Sequence, residues 1–284
     1  MSTRFACLLG ALFGGALLLG ASTAAAQSNS AIGESNWRQG SRSKDRSTYA
    51  SSQRFAFELR FGPYYPEVDE EFGEPFGEGG PYSRTFGSVS ENGTWDTSAQ
   101  FYFGLEFDWQ ALRIPYIGAI GPGFGWGFTR TSAPAKITGT LVESGTDTSL
   151  TIMPMHFSAV LRADELMRRT GIPIVPYGKF GLGFATWSAS TTTGVSSVTI
   201  EEAGQEPRDL TGEGITWGIH MALGGMLALN WLDGRAAATL DETTGVNHIY
   251  LFGEWMNANL DGLGASDQMH VGSSTWVLGI AGDF

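Results

Sequence analysis

From about residue 54 onward the chain alternates apolar residues with small or polar ones, period two, in stretch after stretch. That spacing puts side chains on opposite faces of a β-strand. It predicts strands over 54–64, 98–109, 115–129, 148–162, 174–188, 214–229, 246–258 and 273–284. The second is the clearest: Phe101, Phe103, Leu105, Phe107 and Trp109 share one face, and Tyr102, Gly104, Glu106 and Asp108 the other. In the third, Ile120, Phe124, Trp126 and Phe128 oppose Gly121, Gly123, Gly125 and Gly127. A glycine column of that kind suits the crowded inner face of a narrow, strongly curved barrel.

The fold class that follows is all-β: an antiparallel up-and-down transmembrane β-barrel of about eight strands, an even number as bacterial single-chain barrels require. After residue 26 there is no apolar run of helix-spanning length. In lipid the remaining way to satisfy every backbone group is a closed barrel. A soluble lipocalin-type barrel gives the same alternation with its faces reversed. Three features favour the membrane form. Tyr64, Tyr65, Trp109, Tyr116, Trp187 and Trp231 fall at strand ends, as interfacial girdles would. The second face is rich in Gly and Ala and carries few charges, and the intervening loops alternate between short and long.

The N-terminus changes the domain picture. Arg4 precedes an apolar run from Phe5 to Gly20, then Ala24-Ala25-Ala26 before Gln27, the order of a cleavable secretory signal over 1–26. Cleavage would remove Cys7, the only cysteine, so no disulfide could form. Residues 27–53 are polar, Ser-rich and basic (Arg38, Arg42, Lys44, Arg46), which reads as a disordered periplasmic tail. The barrel would occupy 54–284. With 29 acidic against 17 basic residues and a net charge of −12, nucleic acid is a poor partner, because phosphate needs Lys and Arg to neutralise it.

The last strand places Trp276, Leu278, Ile280 and Phe284 in one column, and its terminal Phe resembles the assembly signal of Gram-negative outer-membrane proteins. The segments Ile172-Pro173-Ile174-Val175-Pro176-Tyr177-Gly178-Lys179-Phe180-Gly181-Leu182-Gly183 and Phe57-Glu58-Leu59-Arg60-Phe61-Gly62-Pro63-Tyr64-Tyr65-Pro66 are similar to an uncharacterised myxobacterial outer-membrane β-barrel family, in the small eight-stranded OmpA/OmpX-like class. The resemblance spans nearly all of 54–284. It implies an outer-membrane location, insertion by the barrel-assembly machinery, and contact with outer-membrane lipid and lipopolysaccharide as a monomer. It brings no catalytic residues. With both termini periplasmic, turns fall near 110–114, 163–173 and 230–245, and external loops near 65–97, 130–147, 189–213 and 259–272. The first external loop is strongly acidic (Glu67, Asp69, Glu70, Glu71, Glu74, Glu78, Glu91, Asp96), as is the third (Glu201, Glu202, Glu206, Asp209, Glu213). Arg113, Arg168, Arg169 and Arg235 fall on the opposite side. An acidic rim of this kind is a solvated, repulsive surface, or one able to bridge lipopolysaccharide through divalent cations.

Glu58, Arg60, Glu106, Asp108, Lys179 and Glu254 lie on the inward face. Buried charges persist only when paired, so Glu58, Arg60, Glu106 and Lys179 are expected to form an ion-pair network that plugs the lumen. The only candidate for catalysis is His156-Phe157-Ser158, similar to the His-Ser pair of lipid A deacylases and able in principle to join a nucleophile to its base. The Asn that follows that Ser is Ala159 here, no Glu stands at a comparable spacing, and the alternation turns both residues inward. His220, His248 and His270 are scattered without metal-ligand spacing. The expectation is therefore no catalytic residue, metal or cofactor, and a structural, envelope-integrity or surface-interaction role. A narrow channel or carrier of lipophilic ligands is the alternative, and a lipid-modifying enzyme the third reading.

Overall fold

Eight strands form where the alternation is strongest: β1 (Phe55–Tyr64), β2 (Gln100–Trp109), β3 (Gly118–Lys136), β4 (Glu143–Arg162), β5 (Ile174–Thr191), β6 (Glu213–Ala228), β7 (His248–Asn259) and β8 (Ser273–Asp283). The computed structural model describes residues 54–70, 79–136, 143–200, 208–231, 242–265 and 268–284. The expected leader 1–26 and tail 27–53 lie outside them. Each strand pairs antiparallel with its successor, and β8 returns to pair with β1. The sheet is thus a closed up-and-down barrel. At the seam Glu58 stands opposite Ala281, and across β1–β2 it stands opposite Glu106.

The two faces of this tube differ sharply. Odd positions of β1, β2, β4, β6 and β7 and even positions of β3, β5 and β8 point outward. They carry Phe57, Phe101, Phe157, Phe180, Trp217, Leu223, Leu251, Trp276 and Leu278, all substantially exposed. Trp276 and Leu278 are 67% and 65% exposed. The opposite parity faces the lumen and holds Glu58, Arg60, Glu106, Lys179 and Glu254, almost wholly buried. Apolar side chains are thus outside and charges inside, the reverse of a soluble barrel. Among the described residues no helix is long and apolar enough to cross a membrane.

Strand length departs from the sequence reading in the middle of the chain. β3 and β4 run to 19 and 20 residues, so most of the loop expected over 130–147 is a continuation of their hairpin. At about 3.3 Å per residue β4 is roughly twice as long as an apolar band of about 25 Å demands, even with tilt. The extension is rich in Ser and in β-branched Thr, which favours strand without needing an apolar face. Two of the residues expected in the aromatic girdle also turn inward. Tyr64 is completely buried and donates its hydroxyl to the Val271 carbonyl at 2.5 Å. Trp187 packs against the buried core. Tyr64 shares the parity of Glu58 and Arg60, and Trp187 that of Lys179, so the pleat sends them inward. Tyr65, Trp109 and Tyr116 are exposed, and the Trp231 side chain lies outside the described residues.

Short helices lie at both ends. α1 (Pro81–Phe86) sits in the β1–β2 connection, and α2 (Asp164–Thr170) follows β4. α2 places Asp164 and Glu165 in its first turn and Arg168 and Arg169 in its last, as the helix dipole favours. It ends at Gly171, whose φ of 73° suits the left-handed cap.

Inward glycines let the strands approach where a side chain could not fit. A Cβ on Gly181 would collide with the backbone of Phe157 and Ser158 in β4, whereas one on outward Gly225 would meet nothing within 4 Å. Gly181→Val should lower stability by about 1–3 kcal/mol or more, and Gly225→Ala should leave it nearly unchanged. Urea unfolding of the refolded protein, followed by tryptophan fluorescence, measures both.

Candidate functional site

The alternation that sorts the faces delivers charged side chains from six of the eight strands into one lumen. Lys179 on β5 lies 2.7 Å from Glu58 of β1, 2.7 Å from Glu106 of β2 and 3.4 Å from Glu254 of β7. Arg60 is 2.7 Å from Glu106 and also pairs with Glu254. Tyr177 donates its hydroxyl to Glu254 at 2.8 Å. The four residues singled out from the sequence are therefore neighbours, and Glu254 joins them.

The cluster extends further than the alternation suggested. Arg162 at the end of β4 reaches Glu58 at 2.8 Å, Asp108 at 2.6 Å and Asp283 at 2.9 Å. It thereby links β4 to β1, β2 and β8. Arg162 continues the inward parity of His156, Ser158 and Val160, and Asp283 that of Val277 and Ala281. Parity was the signal available for both. In all, five carboxylates (Glu58, Glu106, Asp108, Glu254, Asp283) face three basic side chains (Arg60, Lys179, Arg162). Beside them the rings of His156 and His220 stack, with centroids 3.7 Å apart and planes 4° from parallel. His220 is thus not isolated as its place in the sequence suggested. β4 and β6 bring it to His156, whose Nε2 lies 3.5 Å from Glu106. Among the described residues no group of three or more His, Cys, Asp or Glu is placed to hold a metal ion.

β3 contributes space rather than charge. Cβ atoms at Gly123, Gly125 and Gly127 would run into the side chains of Asp108, His156 and Tyr102. The glycine column thus accommodates the inward groups of its neighbours. His156 and Ser158 are both buried in the lumen. Ser158 Oγ has no hydrogen-bond partner among the described residues, and His156 Nε2 faces Glu106 instead, so the two are not joined as nucleophile and base.

Above the charges, the end of the tube where β1 finishes is covered by a cap. Asp69 accepts hydrogen bonds from the N–H groups of Tyr82 and Ser83 at 2.7 and 2.8 Å, fixing α1. Gln100 donates to the Tyr82 hydroxyl at 2.6 Å and accepts from Thr129 at 3.0 Å. The Glu67 N–H donates to the Gly272 carbonyl at 3.0 Å, tying the first connection to the last. Partial burial, with Glu70 and Asp261 nearby, pushes the Glu67 carboxyl up from 4.5 to about 7.

Removing one member of the buried cluster leaves its partners uncompensated, so Lys179→Met should cost about 3–5 kcal/mol in urea unfolding. For Glu67 the folded state holds its proton more tightly than the unfolded one. The cap should therefore be most stable below about pH 4.5, lose stability as pH rises towards about 7, and change little above that. Hydrogen exchange of the Glu67, Tyr82 and Ser83 amides should quicken over that window, and Glu67→Gln should flatten the dependence.

No protein-family model matches the chain, and no curated protein matches it. Solved structures with a similar fold include the attachment invasion locus protein Ail of Yersinia pestis, in complex with the heparin analogue sucrose octasulfate. It is 10% identical, with 82% of this chain and 100% of that one covered and a TM-score of 0.41. The N-terminal β-barrel domain of Pseudomonas aeruginosa OprF is also 10% identical over 82% of this chain and 100% of that one, with a TM-score of 0.30.

Proposed function

We propose that this chain is an integral β-barrel of the bacterial outer membrane, shut by the side chains that cross its lumen. Its role is in envelope structure or surface contact rather than transport or catalysis. The observation that carries this reading is the pairing of Arg60, Lys179 and Arg162 with carboxylates from β1, β2, β7 and β8. Such a cluster braces opposite walls together and occupies the path an ion would need. The apolar belt supports the membrane setting, because Trp276, Leu278 and their neighbours point away from the barrel interior, where hydrocarbon can solvate them.

Charge supports an orientation. Glu67, Asp69, Glu70, Glu91, Asp96, Asp147, Glu213 and Asp261 outnumber Arg84 and Arg130 towards the capped end, whereas Arg54, Arg113, Arg168 and Arg169 lie towards the other with Asp164, Glu165 and Glu242. The acidic end would face outward, where carboxylates can meet lipopolysaccharide through divalent cations. The column Trp276, Leu278, Ile280 and Phe284 is outward-facing, suited to recognition by the barrel-assembly machinery during insertion. The barrel would work as a monomer without cofactor.

Conductance across planar bilayers tests the closed lumen. The purified chain should give no sustained unitary steps, and Arg60→Ala with Lys179→Ala should raise conductance by weakening the brace. Large, stable steps from the unaltered protein would show that the lumen is a pore.

A further inference from the structure

The belt does not stop where the strands stop. At the end opposite the cap, the β2–β3 turn and α2 form a unit that carries apolar side chains past the strand termini. Leu112 stands opposite Ile120, which stands opposite Leu161, so these three make one outward row continuous with the belt. Beyond that row Tyr116 is 76% exposed, and Ile117, Leu166 and Ile172 are also exposed. Tyr116 holds φ at 70°, a left-handed conformation that is strained for a bulky residue. Its ring stands out from the turn.

Three arginines are interleaved with these side chains. Arg113 forks onto both oxygens of Asp164, at 3.4 and 2.9 Å, and Arg168 reaches the same carboxylate at 3.2 Å. Arg169 bonds Glu165 at 3.0 Å and lies 4.3 Å over the Tyr116 ring. Three guanidinium groups therefore share two carboxylates, which leaves a positive surplus on an apolar, aromatic surface. All three side chains remain about half exposed. The Gln110 N–H donates to the Arg54 carbonyl at 2.7 Å, adding a further cation to the same end.

We infer that this unit is a lipid-binding site, with a preference for anionic phospholipid headgroups in the leaflet at the end where β1 starts. The inference rests on the membrane reading of the belt. Charge complementarity names the occupant: the guanidinium groups meet headgroup phosphate, while Tyr116, Ile117, Leu166 and Ile172 enter the boundary between headgroups and acyl chains. Two features favour lipid over a protein partner. The patch is continuous with the belt through the Leu112–Ile120–Leu161 row, and its cations flank the apolar side chains rather than facing a groove.

The full chain, inserted into nanodiscs of mixed phosphatidylcholine and phosphatidylglycerol and released for native mass spectrometry, tests this. It should retain phosphatidylglycerol in preference to phosphatidylcholine. The R113Q/R168Q/R169Q variant should lose that preference by about fivefold or more, as expected for arginines at an anionic surface. The corresponding triple Lys variant should keep most of it, and R84Q/R130Q at the capped end should change nothing. Y116A, which leaves all three ion pairs intact, should weaken retention and serves if the triple Gln variant does not fold. Equal retention by the unaltered chain and the Gln variant, or by the unaltered chain and Y116A if that variant stands in, overturns the inference. Insertion is scored separately by heat-modifiable migration. A chain that inserts but shows no phosphatidylglycerol preference defeats this inference alone, whereas one that enters neither lipid defeats the belt reading as well.

Discussion

Between Ala56 and Phe61 on the first strand and Leu278 and Asp283 on the last, backbone groups more than two hundred residues apart pair and leave the sheet without an edge. Phe284 completes the seam, donating to the Phe55 carbonyl at 2.9 Å and accepting from the Phe55 N–H at 3.0 Å. The rest of the molecule depends on that closure. An open eight-strand sheet would present unpaired N–H and C=O groups along two edges, each costing several kcal/mol in hydrocarbon. Once the tube is closed, its outside can be as apolar as Trp276 and Leu278 make it.

Closure also creates the inside, and the inside imposes its own requirement. A narrow tube cannot keep single charges apart, so each cation is shared among carboxylates from several strands. Lys179 serves Glu58, Glu106 and Glu254, and Arg162 serves Glu58, Asp108 and Asp283. Such pairs contribute less to stability than their short distances suggest, because desolvation offsets much of the attraction. They do fix which strand faces which. The glycines of β3 belong to the same solution, since a wall without side chains gives Asp108 and His156 room to enter.

The fold was legible because each strand must present one face to each environment, and a two-residue period survives in the sequence as Phe101 to Trp109 or Trp276 to Phe284. The faces of Tyr64 and Trp187 were legible too, had the parity of Glu58 and Lys179 been carried to the strand ends. Other features were beyond the pattern. Which inward residues meet depends on the stagger between strands, and nothing in the order of residues brings His156 of β4 onto His220 of β6. The Ser- and Thr-rich extension of β3 and β4 carries no apolar alternation, so it read as a loop. The lumen charges fell between these cases: their facing was readable, but the reach of Arg162 across to Asp283 was not.

Arg162 also bears on how the chain arrives at this state. Its carboxylate partners come from the first, second and last strands, so the guanidinium is fully compensated only when the chain is complete and the seam is shut. If the barrel is inserted in a membrane as proposed, then before that two arginines, a lysine and several carboxylates would have to enter hydrocarbon singly, at a cost no individual strand can offset. In that setting strand-by-strand crossing would be disfavoured, and burial of the charges would be coupled to barrel closure.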